Sequence, residues 1–316
     1  MDTVRTAVIG VGYLGRFHAQ KYAALAGSRL VAVVDADPSA RESVAAETGC
    51  RPVADYRDIL GEVDAVSIAT PTPAHHRIAR ECLEHGVHVL VEKPVTETIE
   101  EARDLVAVAA RAGRVLQVGH LERFNPAIRA LEGTLGAPRF VESHRLAPFR
   151  ERGTDVNVVL DLMIHDIDLI QSLVRSPIVS IDAVGTSVFS SGLDIANARI
   201  RYANGCVANT TASRISMKME RKLRLFQDDA YVSIDLQQKV LTVVRKPPEG
   251  SGATPGQVSI EERSYEQGDA LLLEIESFLD AVRTGRAPAV TGEDGLRALE
   301  TALSITELVQ GGRGRT

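Results

Sequence analysis

Along the first 120 residues, short apolar runs alternate with stretches whose apolar positions recur every three to four residues. The runs are Val4–Ile9, Leu30–Val34, Ala65–Ala69, Val87–Val91 and Val115–Val118, rich in valine and isoleucine, which favour extended backbone. The stretches between them, near 14–26, 38–48, 74–85 and 97–112, carry the amphipathic period of helices. Continuous apolar strands separated by helices predict a parallel sheet covered on both faces, a doubly wound α/β fold. Ligands of such folds sit beyond the carboxyl ends of the strands.

The rhythm changes after that. From Pro138 to Tyr265 most segments read as strands, at 138–147, 178–188, 194–203, 206–213, 220–227, 230–235, 239–245 and 258–264. Asn204-Gly205 between two of them is a hairpin turn signal. Strands without intervening helices predict a large open, mainly antiparallel sheet, interrupted by a helix over Val158–Val174. KPPEGSGATPGQ at 246–257 reads as a surface loop. Two helices near 269–284 and 293–310 close the chain. The expected domains are 1–120 and 121–316, with the closing helices able to pack back on the first.

Bulk properties narrow the class. A chain of 316 residues exceeds one typical core. Its net charge of −6 argues against general affinity for nucleic acid or anionic membranes. No run reaches the roughly 18 to 20 apolar residues of a membrane span, and no export signal precedes the first strand, so a cytoplasmic protein is expected. Cys50, Cys82 and Cys206 lie far apart and match no zinc spacing or disulfide framework. No metal is expected, and buried or incidental thiols are.

The first strand runs into Gly10-x-Gly12-x-x-Gly15, and the second ends at Asp35, twenty residues after Gly15. Gly10 permits a tight turn, Gly12 lets backbone approach a pyrophosphate, and Gly15 allows close helix–strand packing. Tyr13 and Leu14 lie within the same turn, and the N–H groups of the helix start meet the phosphate charge. Asp35 can accept hydrogen bonds from ribose hydroxyls and repels a 2′-phosphate. With Ala36 next rather than arginine, NAD is expected over NADP, and Arg41 reads as a solvated helix residue.

Two later stretches place polar groups at strand ends. Thr70-Pro71 and His75 follow the third strand, and Glu92-Lys93-Pro94 follows the fourth. A lysine beside a nicotinamide ring can hydrogen-bond an alcohol oxygen and stabilise alkoxide character; a surface lysine is the plain alternative. Asp161 and His165, four apart, share a helix face. An imidazole there can take a hydroxyl proton while the carboxylate orients it; a surface pair reads equally from spacing.

The segments AVIGVGYLGRFHA, VVDAD, IATPTPAHH, HVLVEKPVT, DLMIHDIDL and LLLEIESFLDAVRTGRAPAVTGEDGLRALE occur in this order. Together they resemble the glucose–fructose oxidoreductase/inositol dehydrogenase/MocA (Gfo/Idh/MocA) family over essentially the full length. The resemblance implies an N-terminal Rossmann domain, a C-terminal α/β domain and catalytic roles for Lys93, Asp161 and His165. It also sets His75 near the nicotinamide side, and implies homodimers or homotetramers formed through the open sheet face.

HLERFNPA (120–127), SHRLAPFRERGTDVNVVLDLMIHDIDLI (143–170) and DIANARIRYANGCVANTTASRIS (194–216) are similar to one bacterial branch of that family. Its members oxidise the 3-hydroxyl of UDP-N-acetylglucosamine to a ketone, in making amino-sugar lipid A. A nucleotide-sugar substrate agrees with Arg145, Arg150 and Arg152 before the catalytic helix, a basic cluster able to hold a diphosphate or simply a solvated loop. Arg123 and Asn125 come after the last Rossmann strand and would line the substrate crevice. A dehydrogenase of a free polyol or sugar acid, and a non-catalytic dinucleotide sensor, are the other readings.

Overall fold

A computed structural model of the chain describes residues 3–131, 136–149, 156–247, 257–265 and 268–312. Most of the expected loop at 246–257, and both Arg150 and Arg152, lie outside the described residues. The chain forms two compact units: Met1–Leu121 with Asp269–Leu299, and Glu122–Gly268 with Glu300–Thr316.

In the first unit six strands, β1 (Val4–Ile9), β2 (Ser28–Val34), β3 (Arg51–Val53), β4 (Ala65–Ile68), β5 (His88–Glu92) and β6 (Leu116–Gly119), form a sheet. Its order is β3-β2-β1-β4-β5-β6, and every pairing is parallel. The connecting helices are α1 (Tyr13–Ala24), α2 (Pro38–Thr48), α3 (His75–Glu84) and α4 (Ile99–Ala112). Local chemistry sets their ends. Thr98 and Glu101 close a capping box at the start of α4, and Gly113 ends it at φ 62°. Edge strand β3 has a single buried position, Val53, and contains Pro52, so its pattern carries little strand signal.

Helix α7 (Ala270–Thr284) completes this unit from far along the chain. Ile275, Phe278 and Leu279 join Val8, Val33 and Leu90 in one buried cluster. The first turns of α8 (Gly292–Gly312) also belong to this unit. There Gly295 fits because a Cβ would stand 2.6 Å from Val118 Cγ2.

The second unit is built on β7 (Phe140–Leu146), β8 (Ile178–Thr186), β9 (Ile195–Tyr202), β10 (Val207–Ser213), β11 (Glu220–Phe226), β12 (Ala230–Asp235), β13 (Val240–Arg245) and β14 (Ser259–Ser264). Their order is β14-β13-β12-β11-β7-β10-β9-β8. All pairings are antiparallel except β7 with β10. Gly205 turns between β9 and β10 at φ 84°.

One face of this sheet is apolar and buried, through Val141, Ala198, Ala208, Leu223, Val232 and Leu241, beneath α6 (Ile164–Val174) and the short α5 (Pro126–Arg129). The opposite face is largely polar, contrary to the apolar surface that an unpaired sheet leads one to expect. Arg224 pairs with Glu142, Asn197 with Thr211, and Arg199 with Asn209. Apolar side chains gather there mainly around Phe140, Phe226 and Tyr231. Among the described residues no helix is long and apolar enough to cross a membrane.

Candidate active site

The Gly-rich turn has the shape its sequence predicts. Gly10 stands at φ 84°, and a Cβ there would fall 2.8 Å from the carbonyl of Ala69. A Cβ on Gly15 would fall 1.8 Å from the oxygen of Gly10, so that residue closes α1 against the turn. Gly12 differs: a Cβ there would meet no protein atom within 4 Å, so packing does not demand glycine. Backbone left bare beside open space, at the start of a helix lacking a side-chain cap, is what a bound phosphate requires.

Neighbouring groups agree with a dinucleotide. Asp35, just past β2, accepts the N–H of Val11 at 2.8 Å and that of Asp37 at 2.9 Å, which aims its carboxylate back at the Gly-rich turn. Arg41 is not simply solvated; its guanidinium holds the carbonyls of Asp35 and Ala36, each at 3.1 Å. The hydroxyl of Thr70 is buried without a hydrogen-bond partner among the described residues, and the exposed Tyr13 packs edge-on against Phe17. These groups fit the polar edges of a nicotinamide dinucleotide.

The ends of β4 and β5 are tied together. His75, 1% exposed, faces the carbonyl of Pro94 at 3.0 Å and that of Thr70 at 2.8 Å. One ring nitrogen thus faces the backbone beside Lys93 and the other the backbone just past β4. Glu92, expected from its strand-end position to contact the cofactor, turns toward the protein: Oε1 lies 3.1 Å from His18 Nε2, and Oε2 accepts the Lys93 N–H at 3.3 Å. Gly119 makes room for it, since a Cβ there would stand 3.0 Å from the Glu92 carboxyl carbon. Strand β5 itself is anchored by Val89, Leu90 and Val91, all essentially buried.

In the second unit the expected α-helix over 158–174 begins differently. Val159–Met163 forms one wide π turn, and regular helix α6 starts at Ile164. Asn157 initiates it by accepting the N–H groups of Val159 and Leu160, each at 3.0 Å. Asp161 thus lies in the wide turn and His165 in the regular helix, both partly exposed. Wide turns of this kind recur at functional sites, where they shift the register of the helix beyond them.

The basic and amide residues expected to line the substrate crevice are engaged by the protein itself. Arg145 is 3% exposed, and its guanidinium reaches Asp166 at 2.8 Å and Glu122 at 2.9 Å. Burial alone would discharge it; the two carboxylates keep it charged, its pKa above the ordinary arginine range. Arg123 forms a fork with Asp168 at 2.7 and 2.6 Å. Asn125 caps α5 and donates to the Leu236 carbonyl at 2.9 Å. Sequence reasoning overlooked the acids Glu122, Asp166 and Asp168. A signal existed, because Asp166 and Asp168 interrupt the run Ile164, Ile167, Leu169, Ile170, where an acid needs a buried cation. The cysteines are free, and burial pushes the thiols of Cys82 and Cys206 up to about 12 and about 11, far from nucleophilic use.

Known proteins match this architecture. Residues 4–120 match the Gfo/Idh/MocA "oxidoreductase family, NAD-binding Rossmann fold", and residues 129–315 match its C-terminal alpha/beta domain. A UDP-N-acetylglucosamine 3-dehydrogenase of Acidithiobacillus ferrooxidans is 42% identical over 313 residues, covering 98% of each chain. Its solved structure superposes with a TM-score of 0.92 over 98% of this chain and 99% of that one. Inositol 2-dehydrogenase 1 of Mycolicibacterium vanbaalenii is 31% identical over 99% of this chain and 96% of its own. The chain belongs to the Gfo/Idh/MocA oxidoreductase family and is a nicotinamide-dependent dehydrogenase of alcohol groups.

Proposed function

We propose that this protein oxidises the 3-hydroxyl of UDP-N-acetylglucosamine to a ketone, using NAD, in the cytosol and in support of amino-sugar lipid A synthesis. The observation that carries the reading is 42% identity, over 98% of both chains, to an enzyme named for that reaction. The preference for NAD rests on Asp35, whose charge disfavours a 2′-phosphate.

The nicotinamide, when bound, supplies the hydride acceptor. Lys93 donates a hydrogen bond to the substrate hydroxyl and stabilises alkoxide character. His165 takes the hydroxyl proton as general base, and Asp161 orients its ring and offsets the charge the ring acquires. With Arg123, Asn125 and Arg145 engaged by protein partners, Arg150 and Arg152 are the arginines assigned to the diphosphate. The outward face of the second sheet is assigned to self-association; a monomer in sedimentation at micromolar concentration overturns that part.

The test is reduction of NAD, followed at the absorbance of NADH, with UDP-N-acetylglucosamine, free N-acetylglucosamine and myo-inositol offered separately. Turnover with the nucleotide sugar alone is expected. Turnover with inositol alone transfers the assignment to a polyol dehydrogenase, the activity named for the relative at 31% identity. NADP used at least as well as NAD removes the role given to Asp35.

A further inference from the structure

Beneath the strand end that carries Lys93 lies a buried group of ionisable side chains that the reaction above leaves unexplained. Tyr22 and Glu274 are 0% exposed and His18 is 1% exposed. The Tyr22 hydroxyl lies 2.8 Å from Ser67 Oγ, which lies 3.2 Å from His18 Nδ1. His18 Nε2 lies 3.1 Å from Glu92 Oε1, and the Lys93 N–H reaches Glu92 Oε2. The chemistry of the ends sets the directions. A carboxylate only accepts, so His18 donates through Nε2; with the ring neutral, Nδ1 accepts from Ser67, whose oxygen in turn accepts from Tyr22. One hydrogen per group satisfies the whole chain.

Glu274 stands apart from that chain. A carboxyl oxygen of it lies within 4.8 Å of the facing atoms of both His18 and Glu92. Neither of its oxygens has a hydrogen-bond partner among the described residues. Gln117 reaches only its backbone carbonyl, at 3.2 Å. With Glu274 wholly buried and its carboxyl this close to that of Glu92, a second negative charge is strongly disfavoured and the pair holds one. Glu92 receives two N–H donors and Glu274 none, so the negative charge settles on Glu92.

We propose that Glu274 is a positioning residue held as the neutral acid beside ionised Glu92, and that this pair, with His18, fixes the strand end and the single negative charge that Lys93 meets. Burial and the charge of Glu92 raise the Glu274 pKa well above the ordinary carboxyl value. Burial opposes ionisation of Glu92 as well, but His18 and Lys93 bring its pKa below the ordinary value. The ionisable groups facing the pair are His18 and Tyr22 from α1 and Lys93 itself. Ionising Glu274 would set a second negative charge beside Glu92, at the strand end that carries Lys93, so turnover should fall as it titrates on the alkaline side.

The inference rests on the role given to Lys93, and the experiment separates the two. Infrared spectroscopy of the full-length protein at neutral pH is expected to show the C=O stretch of a buried protonated carboxyl, lost in Glu274→Gln. That readout needs no turnover, so it stands even if no substrate is oxidised. In steady-state assays Glu274→Gln should keep kcat within about twofold at neutral pH and shed the alkaline fall of kcat, because the amide keeps the shape and cannot ionise. Glu274→Ala should lose about tenfold in kcat with little change in KM for NAD, a loss the glutamine variant does not share. An unchanged carboxyl band in Glu274→Gln, or an unchanged alkaline limb, overturns the proposal. So does a stoichiometric divalent ion in the purified protein that Glu274→Gln releases, since the same three residues would then be its ligands.

Discussion

Asp194 is a single carboxylate that organises a whole loop. It is 0% exposed and accepts the backbone N–H groups of Val188, Phe189 and Ser190 at 2.7, 2.7 and 3.0 Å, together with the Ser190 hydroxyl. Burial would raise its pKa, yet the Ser190 hydroxyl and those N–H groups hold it well below the ordinary carboxyl range. A depressed folded-state value stabilises above the pKa of the unfolded chain, about 3.9, and the gain disappears as pH falls through the folded value. The thermal midpoint of Asp194→Asn should therefore lie below wild type at neutral pH, with a gap that holds to about pH 4 and narrows in stronger acid. Lys93→Ala and His165→Ala test the proposed chemistry instead: each should cut kcat by roughly 10² or more while the Kd for NAD stays near wild type. Near-normal turnover in either variant removes its assigned role. Both residues were singled out in the sequence, Lys93 by its place after a buried strand and His165 through the family resemblance. Glu274 and Asp166 were not, since a buried acid is identified by the partner that folding brings to it.

At the scale of elements, the turn from β1 into α1 offers a test that separates fold from ligand. Gly15→Ala would drive a methyl into the Gly10 carbonyl, so it should lower the thermal midpoint and weaken NAD together. Gly12→Ala meets no protein atom and suits its φ of −64°; it should leave the midpoint within a degree or two and still weaken NAD at least about tenfold. Equal NAD affinity in Gly12→Ala would mean the phosphates lie elsewhere. Strands and helices track the hydrophobic period closely, because both faces of the first sheet and one face of the second are buried. The period does not convey β3, with its one buried residue, or the π turn at Val159–Met163. Asn157 announces a helix start in either geometry, and nothing in the local composition distinguishes a wide first turn from a regular one.

For the whole molecule, the two units are drawn from interleaved stretches of chain rather than from its two halves. Closing helices that pack back on the N-terminal sheet give the first unit part of its core. Truncating Phe278, wholly buried in the cluster with Val8 and Leu90, should cost about 3–5 kcal/mol when replaced by alanine. A chemical denaturation midpoint close to wild type would show that α7 is dispensable. Bare 1–121 should expose that cluster and fail to give a cooperative transition. The interleaving also has a consequence in time. A ribosome releases β1 to β6 early, but Ile275, Phe278 and Leu279 arrive only after residues 122–268 have been made. Until α7 has been made, the nascent dinucleotide unit carries an unfinished hydrophobic face, a natural holding point for a chaperone, and capture of the dinucleotide by the growing chain is expected to follow α7 rather than β6.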